Sequence, residues 1–81
     1  METGVFCIDA RAMLPPEPFE QTMAALEDLD SGAVQRIELL LYREPFPLYR
    51  VLESNGYRHE THLEEDGTFV ISIRVSGDRD A

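Results

Sequence analysis

The chain has 81 residues, 16 of them acidic and 7 basic, for a formal net charge of -9. A chain this short forms a single domain (1–81) that buries only about 60 to 65% of its unfolded surface, which leaves little room for a deep active-site cavity. A field of this sign repels phosphate backbones and anionic bilayers, so nucleic acid and membrane are set aside as partners. The one cysteine, Cys7, has no internal partner for a disulfide. Packing alone must then hold the domain together, which suits a reducing compartment. No segment has the apolar length of a signal peptide or a membrane helix, and the expected location is the cytoplasm.

Val5 to Ile8 is a short apolar run closed by Asp9 and reads as a buried strand. Phe19, Thr22, Met23, Leu26 and Leu29 recur at three- and four-residue spacing and mark one face of a helix, stopped by Asp30-Ser31-Gly32. Gln35 to Tyr42 is the most apolar strand and belongs in the middle of a sheet. Leu48, Val51 and Leu52 give a short second helix, capped at Asn55-Gly56. From Tyr57 the period falls to two, and Asp66-Gly67 separates two strands as a hairpin signal. The order is βαβαββ. Right-handed crossovers place both helices on one face, so the fold class is α+β, a two-layer α/β sandwich whose other face is open. A polar tail, 76–81, follows the core of about 5–75.

All five prolines fall in two clusters, Leu14-Pro15-Pro16-Glu17-Pro18-Phe19 and Glu44-Pro45-Phe46-Pro47. Proline has a fixed φ and no amide hydrogen, so it is tolerated in a first helical turn, where amides lack intrahelical partners. The clusters are therefore strand-to-helix corners, with Glu17 and Glu44 at the positive ends of the helix dipoles. Both corners lie beyond the carboxyl ends of parallel strands, where open α/β sheets place their sites. The candidate binding edge is Arg11, Met13, Leu14, Glu17, Arg43, Glu44, Phe46 and Tyr49. Two arginines near two helix starts invite a small anionic ligand, but the prolines have no amides with which to cradle one. The competing expectation pairs Arg11 with Asp9 or Glu17, and Arg43 with Glu44.

His59 and His62, three apart on a strand, fall on opposite faces and cannot share a metal ion. No metal site and no cofactor is expected, and Glu64-Glu65-Asp66 reads as a solvated charge run. Cys7 falls on the open face, where a lone strand cysteine behaves as a small hydrophobe.

Leu14-Pro15-Pro16-Glu17-Pro18 resembles the helix start of the TusA/SirA-like sulfur-carrier superfamily, whose βαβαββ domains open the first helix with Cys-Pro-x-Pro. The likeness runs from Phe6 to about Val75. Pro16-Glu17-Pro18 matches Pro-x-Pro, while Pro15 stands where the sulfur-accepting cysteine belongs. The stretch REPFPLYRVLESNGY is similar to the signature of a bacterial branch of that superfamily, a domain of unknown function that lacks the cysteine. The resemblance implies a mixed four-stranded sheet in order 1-2-4-3, with the fourth strand antiparallel to the others, and a working edge from Arg11 to Pro18 and from Arg43 to Tyr49. It does not carry over sulfur transfer, because a thiolate is the nucleophile of that chemistry.

The function expected is a non-catalytic binding or regulatory module that docks partners by its proline edge or its open face. The alternatives are a redox or sulfur-handling protein using Cys7 or a partner's thiol, and small-ligand or metal binding at Arg11 and Arg43. Alternation assigns Val5, Cys7, Leu40, Tyr42 and Val70 to the open face, rimmed by Arg36, Glu38, Arg58, Glu60, His62 and Arg74. The candidate interface is Cys7, Leu40, Tyr42 and Val70, for a homodimer or a protein partner anchored on Tyr42.

Overall fold

The computed structural model describes residues 4–75. The elements are β1 (Val5–Asp9), α1 (Glu17–Ser31), β2 (Arg36–Leu41), α2 (Phe46–Ser54), β3 (Tyr57–Leu63) and β4 (Phe69–Val75). The sheet order is β1-β2-β4-β3, with β1 parallel to β2 and β4 antiparallel to both β2 and β3. This is the mixed sheet that the resemblance implied.

Alternation decides what each strand buries. Ile37 and Leu39 on β2, and Ile71 and Ile73 on β4, are almost fully buried and pack with Ile8 of β1. Ala25, Leu26 and Leu29 of α1 and Leu48 and Leu52 of α2 close over the same side. The central strands therefore carry most of the core, and truncating Ile37 or Ile73 to Ala is worth about 2 to 5 kcal/mol. Thr22 takes one of the buried positions of α1, its hydroxyl donating to the Pro18 carbonyl at 2.8 Å. Phe19, placed on the buried stripe by spacing alone, stays half exposed in the first turn of α1, and burial begins one turn on at Thr22.

Both corners are built as the prolines require. Pro16 and Pro45 are the N-cap residues, and each helix has a second proline within its first two positions. The Pro16 carbonyl accepts from the Glu20 amide at 3.0 Å. The Pro45 carbonyl accepts from the amides of Leu48 and Tyr49, and the Phe46 amide is taken by the Glu44 carbonyl at 3.0 Å. At the other ends, Gly32 and Gly56 adopt left-handed φ values of 84° and 82°, which only glycine takes without steric cost.

The β3-β4 connection differs from the two-residue turn that Asp-Gly most often makes. Such a turn needs positive φ at both central residues, and no non-glycine residue among those described has it. Gly67 alone is left-handed, its amide donates to the Glu64 carbonyl, and the Glu64 amide closes onto the Thr68 carbonyl at 2.8 Å. The result is a three-residue loop over Glu65, Asp66 and Gly67. Asp66 stiffens it by accepting the Thr68 amide at 2.9 Å, which holds the Asp66 carboxyl below its ordinary range.

Candidate binding edge

After β1 the chain turns at once, and Asp9 holds Arg11 in place. The Asp9 carboxylate accepts from Arg11 Nε at 2.9 Å and Nη2 at 2.8 Å, and also from the Arg11 amide at 3.2 Å. These bonds, with the guanidinium charge, hold the Asp9 carboxyl at about 2. Arg11 Nη1 also lies 3.5 Å from the hydroxyl of Thr68, so the side chain spans from β1 toward the start of β4. A guanidinium so engaged is committed to the fold.

The second arginine behaves otherwise. The expected Arg43–Glu44 pair is absent, because Glu44 accepts the Tyr49 hydroxyl at 3.0 Å instead. Arg43 is exposed and forms no ion pair among the described residues. With its proton directed at Glu44, the Tyr49 hydroxyl accepts a further bond from the Thr61 hydroxyl, and the ring stacks flat on His59 with centroids 4.4 Å apart and meets the edge of Phe46 at 5.9 Å. His59 in turn contacts Glu53 at 3.1 Å. Burial and the Glu44 carboxylate both push the Tyr49 hydroxyl up, and its bonds to Glu44 and Thr61 make it a neutral clamp between α2 and β3.

The two arginines thus have separate roles. Met13 turns inward against the core, Glu17 sits exposed in the first turn of α1, and Leu14 projects outward with 78% of its surface accessible. Phe46, at the matching point of the second corner, is 62% accessible. A shallow groove runs along Leu14, Pro15, Pro16, Glu17, Glu20 and Gln21. With Pro47 lacking an amide and the other first-turn amides of α2 already bonded, that corner has no backbone amide left to offer an anion. What the edge presents is apolar surface on a stiff backbone.

Spacing alone did not single out Glu53, Thr61 or Thr68, and it weighed His59 only as a metal ligand. The two-residue period of β3 does place His59 and Thr61 on the helix side, facing the aromatic residues of α2. His62 lies on the other face, near Glu64. Among the described residues, no group of three or more His, Cys, Asp or Glu side chains could hold a metal ion, and no helix is long and apolar enough to cross a membrane.

The candidate interface residues are spread along the outer face of the sheet. Leu40 and Val70 are direct cross-strand partners, and Tyr42 lies just past the end of β2 with 59% of its surface accessible. Cys7 is exposed but opposes Glu38, and Val5 opposes Arg36. The apolar strip expected across strands 1, 2 and 4 is therefore interrupted by an ion pair, Arg36 to Glu38 at 3.2 Å. The polar tail 76–81 lies outside the described residues.

A β1-β2-β4-β3 sheet with two helices on one side, the first opened by Pro-x-Pro, is the arrangement of a SirA/TusA-like fold. The crystal structure of a SirA-like protein from Desulfitobacterium hafniense has the same fold, with a TM-score of 0.75 at 23% identity, over 90% of this chain and 99% of that one. The chain belongs to the family described as "Uncharacterized conserved protein (DUF2249)", which matches residues 7–75. Comparison with curated proteins gave no match.

Proposed function

We propose that this domain is a non-catalytic binding module, which keeps the scaffold of a sulfur carrier and uses its two proline corners to dock a protein partner. The observation that carries the reading is the pairing of Leu14 and Phe46, each largely exposed and each fixed beside prolines at the same edge of the sheet. Exposed apolar side chains on a preorganised backbone lose little entropy on binding, which is what an interface anchor requires. Arg43, without an ion pair among the described residues, stands at the rim of this surface and fits a partner with an apolar pocket bordered by carboxylates. No thiol stands at either corner, since Pro15 occupies the place of the acceptor cysteine.

The test is crosslinking in extracts of the native host, with the wild-type chain compared with Leu14→Glu and Phe46→Glu. A specific crosslinked partner that is lost in both variants, while their thermal unfolding matches wild type, supports the reading. Partners captured equally by all three chains would overturn it. The exposure of Cys7 favours a second reading, sulfur handling through that thiol, which a mass measurement separates from the first.

A further inference from the structure

The outer face of the sheet carries its charges in rows. With Ile37, Ile71, Ile73 and His59 turned toward the helices, alternation turns Arg36 and Glu38 of β2, Ser72 and Arg74 of β4, and Arg58 and Glu60 of β3 outward. Arg58 is the direct cross-strand partner of Arg74. Arg36 precedes Ile37, whose partner is Ile73, and so comes level with Arg74. Two residues along, Glu38 opposes Ser72, and Ser72 opposes Glu60. A row of three guanidiniums therefore crosses three strands, and beside it, at a spacing of roughly 7 Å, two carboxylates flank a serine.

Like charges directly across a strand pair are unfavourable, and the chain relieves this row only in part. Arg36 Nη2 reaches Glu38 at 3.2 Å, but Arg58, Arg74 and Glu60 have no ion-pair partner among the described residues. Arg36 Nε is buried without an acceptor. Arg58, Glu60, Ser72 and Arg74 line a shallow hollow. In a chain with 16 acidic residues available, three arginines have been aligned without a matching set of carboxylates.

We propose that this face binds a second copy of the chain, packed sheet to sheet about a two-fold axis that runs along the rows and between them. An axis so placed sets the arginine row of each copy over the carboxylate row of the other. Arg58 meets the second copy's Glu60, Arg36 meets its Glu38, and symmetry repeats both pairs. The small Ser72 leaves room for Arg74. Facing sheets lie about 10 Å apart, a gap that an arginine and a glutamate reaching toward each other can span. An axis along the strands would instead set arginine on arginine, and one through the carboxylate row would set Glu38 and Glu60 on their own copies. An acidic partner would satisfy the arginines and leave both glutamates against like charge, and a basic partner would do the reverse. Only a surface with the same alternation matches both rows. Tyr42 lies at the rim of this contact. The surface is separate from the proline edge, so the two proposals stand or fall independently.

The experiment is sedimentation equilibrium on the full chain over a dilution series. Wild type is expected to reach the dimer mass, and Arg58→Glu and Glu60→Arg are each expected to weaken association by about ten-fold or more, since each places like charges in contact. Mixing the two variants restores the dimer, because the exchanged charges again oppose each other, and unchanged circular dichroism shows that both remain folded. Phe46→Glu leaves the dimer intact. A wild-type chain that stays monomeric, a dimer indifferent to both charge reversals, or a mixture of folded variants that stays monomeric would each overturn the proposal.

Discussion

Arg11 lies across the Asp9 carboxylate with one guanidinium edge engaged, Nε donating at 2.9 Å and Nη2 at 2.8 Å. This geometry removes one of the two arginines from the binding edge and turns it into a clamp at the end of β1. A bidentate pair is directional as well as attractive, so it fixes where the chain leaves β1 for the first proline corner.

The pair makes acid stability testable. Asp9 is held at about 2, against 3.8 for the free side chain, by bonds from Arg11. A depressed folded value means that the stabilisation is complete above the free value and is lost as pH falls through the folded one. Asp9→Asn should therefore unfold at a lower temperature than wild type at neutral pH, and the gap should close between about pH 4 and pH 2. The site is solvent-exposed, so the neutral-pH gap should be small. Thermal melts at a series of pH values check this, and a gap that widens in acid would contradict it.

Tyr57 supplies the opposite limb. Burial, and then the bond from its hydroxyl to Asp30 Oδ1 at 2.7 Å, raise it to about 12. A raised folded value stabilises fully below the free value of 10.0 and is lost as pH climbs through the folded one. Phenolate absorbance should show a step near pH 12, and Tyr57→Phe should remove it. The substitution should cost no more than about 1 kcal/mol, since the bond is exposed. A high-pH step that survives unchanged in Tyr57→Phe would refute the assignment.

The core was legible in the sequence because a buried strand or helix face repeats at a fixed period. The runs at Val5 to Ile8 and at Leu48 to Leu52 located their elements, but β1, expected to be buried, is an edge strand that buries Ile8 and leaves Val5, Phe6 and Cys7 exposed. The strand order followed from Pro16-Glu17-Pro18 and its likeness to a known helix start, not from periodicity. The contacts of the edge were harder to read, because a charged side chain chooses among several partners at similar range. Arg11 took Asp9, one of the two acids offered to it. Glu44 preferred the Tyr49 hydroxyl to the adjacent Arg43, a choice set by the helical turn that brings residue 49 back over residue 44. The rows on the outer face depend on the β4 to β3 register, which the three-residue loop at Glu65 to Gly67 fixes and the Asp-Gly signal alone does not.

The proline corners should act mainly on the unfolded chain. Pro45 and Pro47 already sit at φ-compatible positions at the start of α2, one as N-cap and one within the first two helical residues. Replacing either with Ala should cost about 0.4 to 1 kcal/mol by loosening the unfolded state, with the folded contacts kept. Urea denaturation checks this, with an unchanged slope expected. A loss of several kcal/mol would mean that the rings themselves are packed in the fold.

The last prediction concerns sulfur. In a carrier, a thiolate attacks the donor persulfide, takes its outer sulfur and releases the donor as a thiol, so the acceptor must be a cysteine. Here the corner offers Pro15, and the only thiol in the chain, Cys7, sits in the middle of β1 opposite Glu38. The two positions are separated by the rest of β1 and the whole turn that carries Arg11 and Leu14. A donor enzyme shaped to reach a helix-start cysteine would therefore not meet Cys7. Incubation with a cysteine desulfurase and free cysteine should leave the wild-type chain at its unmodified mass. In the Cys7→Ser, Pro15→Cys double variant, any sulfur gained should map to residue 15 by peptide mass spectrometry. A stable persulfide on wild-type Cys7 would show that the domain handles sulfur from the sheet face, and the binding-module reading would give way to that one.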